Sequence, residues 1–189
     1  MDKKQLRMLS LLDNMIGECK KCSLFQNGGA KPYWVSSSRF AIIGEAPGFD
    51  EVRENSPFVG KAGNILWDAM KRNGLSREDF LIINSVNCRP VVGNKNGKPS
   101  NEQMEQCWPW IRKYLKVLKP RAILILGGYA LFTILGESDI MKHSGKEVHS
   151  REFDCPVVIS VHPAFTIYNP SKGEQLLKES IEKFRGYND

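Results

Sequence analysis

The chain has 189 residues, 41% hydrophobic and 25% charged, with 27 lysines and arginines against 21 acids for a net charge of +6. That length can bury a proper core as one domain, and the balance excludes disordered and fibrous classes. The longest apolar run, about Ala122 to Leu126, is too short to span a membrane, and the positive charge suits a polyanionic partner without requiring one.

The opening MDKKQLRMLSLLDNMIGECKKC carries lysines but breaks its apolar run with Asp13. This fits an amphipathic helix better than a signal peptide, so a cytoplasmic protein is expected. Lys3 to Gly17 set Leu6, Met8, Leu9, Leu12, Met15 and Ile16 on one helical face. Cys19-Lys20-Lys21-Cys22 follows, then an irregular segment with Gly28, Gly29 and Pro32. Phe40 to Ile43 reads as the first strand, breaking at Gly44 into a loop that holds Glu45, Pro47, Gly48, Asp50, Glu51, Pro57 and Phe58. A helix should begin near Gly60 or Gly63 and stop at Asn73-Gly74.

Phe80 to Ile83 reads as the second strand, ending at Asn84, and Cys88-Arg89-Pro90 opens a polar loop. Ser100 with Gln103 makes a capping box for a helix to Leu118, in which Pro109 calls for a kink or a restart. Ala122 to Leu126 is the third strand, followed by Gly127-Gly128 and a helix from Tyr129 to Leu135. Gly136 to Asp154 should form a small hairpin or loop. Pro156 to Val161 is the fourth strand, running into His162-Pro163, and the last helix covers Ser171 to Arg185. Short apolar strands separated by helices predict a single α/β domain over residues 1–189, three layers with a central four-stranded parallel sheet.

Two constellations carry chemistry. Cys19 and Cys22 form a C-x2-C turn, while Cys88 follows the second strand and Cys107 sits in the next helix. Four thiolates from three segments can surround one soft metal centre, either zinc or an iron–sulfur cluster. Cys155, at a strand start, reads as a small core residue. The second constellation is a set of strand ends: Glu45 and Glu51 after the first strand, Asn84 at the second, His162 at the fourth. A parallel sheet brings all of these to one edge, beside Phe58, where open α/β sheets bind ligands.

Taken in order, Gly44-Glu45-Ala46-Pro47-Gly48, Pro57-Phe58-Val59-Gly60 with Ala62-Gly63, Asn84 with Cys88-Arg89-Pro90, and His162-Pro163 resemble the motifs of family 4 uracil-DNA glycosylases. The resemblance covers nearly the whole chain, with Cys19, Cys22, Cys88 and Cys107 standing where that family has its cluster-ligating cysteines. It implies the uracil-DNA glycosylase fold, a [4Fe-4S] cluster, and a monomer acting on uracil-containing DNA, single- or double-stranded. The reaction implied is hydrolysis of the N-glycosidic bond of deoxyuridine, with the base first flipped from the stack.

The same resemblance implies roles. Phe58 stacks on uracil, Asn84 reads its edge, and backbone N–H groups around Ala46 to Gly48 help bind it. His162 donates to the developing uracil anion, and Glu45 or Glu51 holds the water. Glycosylases whose loop reads GQDPYH have an aspartate where this chain has Ala46, so base help must come from elsewhere or be weak. Val52, Asn55, Val91 and Tyr168 depart from the family pattern, and the loop after Cys88-Arg89-Pro90 is about three residues longer than usual. The segment Ala164 to Tyr168 is expected to press on DNA, with Lys61, Arg89, Lys95, Lys98 and Lys172 available for phosphates. The other outcome is a non-catalytic relative that keeps the fold and cluster but only binds DNA or uracil.

Overall fold

A computed structural model describes residues 1–188. The elements in chain order are α1 (Lys3–Gly17), β1 (Phe40–Gly44), α2 (Phe49–Glu54), α3 (Lys61–Arg72), β2 (Phe80–Asn84), β3 (Val91–Val92), β4 (Lys95–Asn96) and α4 (Asn101–Leu118). They continue with β5 (Ile123–Leu126), α5 (Gly128–Leu135), α6 (Ile140–His143), β6 (Glu147–Ser150), β7 (Cys155–Ser160), α7 (Phe165–Tyr168) and α8 (Pro170–Arg185). The central sheet runs β2-β1-β5-β7-β6. Its first four strands are parallel, and β6 joins β7 antiparallel.

The sheet therefore has five strands, not the expected four. The additional one, Glu147-Val148-His149-Ser150, is exposed at three of its four positions. It pairs with β7 through a turn in which Asp154 takes a positive φ of 51°. Its sequence has no apolar run because it lies at an edge and buries little.

Alternation along the parallel strands builds two cores, one on each face. Ala41, Ile43, Leu81, Ile83, Ile123, Ile125, Val157 and Ile159 point to the side covered by α1, α4 and α5. Phe40, Ile42, Phe80, Ile82, Leu124 and Val158 point to the side covered by α3 and α8, where Leu66, Met70, Leu177, Ile181 and Phe184 meet them. Helix α1 buries Leu9 and Leu12, but Met8 and Met15 are about half exposed, so the apolar face is narrower than expected. Helix α4 starts at the anticipated box, with Gln103 N–H donating to Ser100 Oγ at 3.2 Å, and continues through Pro109 without a restart. Cys155 is buried in the core as expected. No helix among the described residues is long and apolar enough to cross a membrane.

Several short elements were not anticipated. Residues 49–54, 140–143 and 165–168 are the brief helices α2, α6 and α7, and the long polar loop contains the β3–β4 hairpin, turning at Gly93.

Candidate active site

The parallel strands deliver their carboxyl ends to one rim, which holds a cavity of about 350 Å³. Its lining includes Glu45, Ala46, Gly48, Glu51 and Phe58 from the β1 side and Asn84 from β2. His162, Ala164 and Tyr168 come from beyond β7, and Asn96 and Lys98 from the hairpin segment. All nine pocket and rim residues singled out in the sequence thus share one cavity.

Phe58 is held in an uncommon backbone state, φ +54°. A non-glycine residue there persists only when its surroundings fix it, and they do. Trp67 Nε1 donates to the Phe58 carbonyl at 2.9 Å, and Arg77 Nη2 donates to the Pro57 carbonyl at 2.7 Å and to Ser56 Oγ at 2.9 Å. Arg77 itself lies against Tyr33 and Trp67, 4.3 and 5.2 Å from their ring centroids. Burial lowers its pKa from the ordinary value, the signature of a cation used inside the fold. Gly63 lets α3 approach, because a Cβ there would stand against the Phe58 carbonyl carbon and oxygen.

Glu51 works on the same loop. Its Oε2 accepts from Gly48 N–H at 3.0 Å, and its Oε1 accepts from Val59 N–H and Gly60 N–H at 3.2 and 2.9 Å. Three backbone donors occupy the carboxylate, tying both ends of the loop together. Glu45 is placed differently. Its Oε1 meets Lys98 Nζ at 3.0 Å, with the carboxylate largely buried and the lysine largely exposed.

The Phe58 ring faces His162, with centroids 5.9 Å apart and planes 29° from parallel. Ala164 N–H donates to His162 Nδ1 at 3.2 Å. In a neutral ring this puts the proton on Nε2. Burial, with Lys98 nearby, lowers the His162 pKa to about 4 from an ordinary 6.5, so the ring is neutral at physiological pH. Gly127, at φ +93°, makes room for it, since a Cβ there would lie 3.0 Å from the His162 Cβ.

The cysteines occupy a separate place. Cys19, Cys88 and Cys107 line a second cavity of about 240 Å³ together with Asn87 and Trp110. Cys22 packs beside Cys88 and Cys107 in a small cluster with Leu24, Val86 and Met104. The N-terminal segment is fastened there by main-chain bonds: Ala30 N–H to the Asn87 carbonyl at 3.0 Å, Arg89 N–H to the Gly28 carbonyl at 2.9 Å. Burial, then the charges of Cys107, Cys22 and Cys19, push the Cys88 thiol up to about 12. The Cys107 thiol is pushed up to about 11, again chiefly by burial. Among the described residues no three Cys, His, Asp or Glu side chains are drawn together at metal-ligand spacing. Three of the four thiols line this cavity, and the fourth, Cys22, packs beside Cys88 and Cys107. Two buried donors among the residues lining that space, Asn87 Nδ2 and Trp110 Nε1, lack hydrogen-bond partners.

Sequence reasoning missed Trp67, Arg77 and the ion pair of Lys98, which it had offered only as a phosphate contact. Trp67 and Arg77 lie outside every motif, and their effect runs through backbone carbonyls that carry no side-chain signature. Lys61, Lys95 and Lys172 are exposed and take no part in either cavity.

Comparison with known proteins assigns the chain to a family. The family model described as the Uracil DNA glycosylase superfamily matches residues 32–185. The Type-4 uracil-DNA glycosylase of Sulfurisphaera tokodaii is 33% identical over 88% of this chain and 79% of its own length. That of Archaeoglobus fulgidus is 33% identical over 87% of each, and that of Pyrobaculum aerophilum 32% identical over 94% of each. A pocket assembled from three strand ends and a family match spanning both cores lead to the same place: the chain belongs to the uracil DNA glycosylase superfamily.

Proposed function

We propose that the chain is a uracil-DNA glycosylase of DNA repair that hydrolyses the N-glycosidic bond of deoxyuridine after the base has left the stack. One observation carries this: Phe58, Asn84 and His162, far apart in sequence, line a single cavity with Glu45. Phe58 offers a flat apolar face, and the Asn84 carboxamide offers a donor and an acceptor to the uracil edge. Cytosine reverses that pattern at its exocyclic amine, and the amide then faces like with like. The bond between C1′ and the base breaks with its electron pair passing to the uracil ring, where His162 Nε2–H donates to the new charge. Water adds to C1′, and the proton it gives up passes by way of Glu45 and solvent to the departing uracil anion, which leaves as neutral uracil.

Glu51 is committed to three backbone donors, so we assign the water to Glu45, whose Oε1 is anchored by Lys98. Ala164 and the largely exposed Tyr168 border the same mouth and are our choice for contact with the strand. We read the chain as a cytoplasmic monomer.

Incubation with a deoxyuridine oligonucleotide should release free uracil and leave an abasic site. Intact DNA held in a stable complex would instead mean a binding relative without turnover. Asn84→Ala should lower kcat/KM about tenfold, by loss of one hydrogen-bonding partner, and erode discrimination against cytosine. Phe58→Ala should act mainly on base binding. Unchanged excision by either variant removes the corresponding assignment.

We further infer that Cys19, Cys22, Cys88 and Cys107 hold a [4Fe-4S] cluster. A C-x2-C pair joined by cysteines from two further segments is a donor set for a soft metal group, and three of the four line a cavity with room for several atoms. The unpartnered Asn87 and Trp110 donors suit a site that gains acceptor sulfurs. When bound, such a cluster supplies a rigid tie between segments, and these residues lie outside the base pocket. Cys19→Ala should lose iron and acid-labile sulfide and melt earlier than Cys155→Ala, by calorimetry on anaerobically purified protein. Equal effects of the two would mean a different ligand set.

A further inference from the structure

Phe49 opens α2 with 60% of its surface exposed, although it directly follows Gly48 of the pocket lining. A large aromatic left open beside a catalytic mouth has no role in the core. The ring is edged by two guanidinium groups, Arg53 at 5.9 Å and Arg89 at 5.5 Å from its centroid. Arg89 is in turn pinned: its Nε donates to Asn96 Oδ1 at 2.7 Å, and Asn96 lines the pocket. Ring, guanidinium and cavity wall are therefore one connected surface.

We propose that Phe49, framed by Arg53 and Arg89, is a stacking seat for an unpaired nucleobase neighbouring the flipped uridine, and so favours single-stranded substrate. The proposal rests on the uracil-DNA reading of the adjoining pocket. Every base has a π-face, and base–aromatic stacking favours binding without regard to sequence. In a duplex the base beside the flipped uridine stays paired and stacked on its other neighbour and cannot swing out to the ring, so the seat serves a strand that is unpaired there. Charge agrees with a nucleic acid over an acidic partner. Arg53 is partly neutralised by Asp50 and Glu54 at 3.2 and 3.1 Å, but Arg89 makes no ion pair among the described residues. Lys95 lies exposed on the adjoining hairpin. Position agrees too: Phe49 follows β1 and Tyr168 follows β7, with only β5 between those strands. Two exposed aromatics thus rise from two loops of one rim, on which a strand entering the pocket must lie.

The test compares wild type, Phe49→Ala and Phe49→Trp on a uracil-containing single-stranded oligonucleotide and on the same sequence as a duplex. Phe49→Ala should raise KM and Kd on the single strand about tenfold, with little change on the duplex. Phe49→Trp should keep wild-type affinity. Stacking is not a phosphate contact, so the salt slope of Phe49→Ala should match wild type, while Arg89→Gln should lower it by about one. Phe49 is exposed, so folding does not confound the comparison. Unchanged single-strand affinity in a protein that releases uracil overturns the seat alone, leaving the ring for a protein partner. Equal losses on both DNA forms overturn it as well. Loss of single-strand affinity in Phe49→Ala, where wild type releases no uracil, keeps the seat and defeats the enzymatic reading instead.

Discussion

His162→Ala should slow single-turnover uracil excision by about 10²–10³ while leaving DNA affinity nearly intact, the effect of removing one donor aimed at a developing oxyanion. The rate profile with pH should separate the working form of the ring. Burial and then Lys98 hold the His162 pKa at about 4, below its ordinary 6.5. The Ala164 N–H occupies Nδ1, so the neutral ring presents Nε2–H to the cavity. Neutral His162 is thus the form present from pH 7 down through 6.5, and wild-type excision should show no histidine step near 6.5. The linkage to stability has the matching sign. A depressed folded-state value means the unfolded chain takes up the proton more readily. The stability tied to neutral His162 is complete above 6.5 and lost as pH falls towards about 4. A wild-type inflection near 6.5 that vanishes in His162→Ala would show imidazolium as the working donor and overturn the neutral-ring account.

What could be read from sequence followed what is local. The four parallel strands were legible because each is a short run buried on both faces, as in Phe40-Ala41-Ile42-Ile43 and Phe80-Leu81-Ile82-Ile83. Strand β6 was not, because Glu147, Val148 and His149 are exposed and their extended state is imposed by pairing with β7. The gathering of Asn84 and His162 with the β1 loop at one cavity followed from strand direction alone. The division of labour between the two glutamates did not. Both follow the same strand, and only the folded loop shows Glu51 spent on Gly48, Val59 and Gly60 while Glu45 faces Lys98. The clamp on Phe58 was equally hidden, since Arg77 acts from nineteen residues away on a carbonyl.

The clamp and the close packing around it set the second large effect. Gly44→Ala should leave the protein folded yet cut excision by about 10², the scale of misplacing reacting groups by about 1 Å. A Cβ at Gly44 would stand 2.8 Å from two atoms of the Phe58 ring and still closer to Asn84 Oδ1. Both obstacles are side chains, which can rotate away, so the strain is relieved by displacing the two groups that grip the base. Overpacking of this kind costs about 1–3 kcal/mol, within what a folded domain tolerates. Gly63→Ala meets backbone instead, the Phe58 carbonyl that Trp67 and Arg77 already hold. No rotation relieves that clash, so α3 or the loop must move, and the thermal midpoint should fall further than in Gly44→Ala. Single-turnover excision and calorimetry on the two variants give opposite rankings if the pocket is gripped as described: Gly44→Ala the more inactive per folded molecule, Gly63→Ala the less stable. Wild-type excision in Gly44→Ala would mean that Phe58 and Asn84 do not hold the base where the strand ends place them.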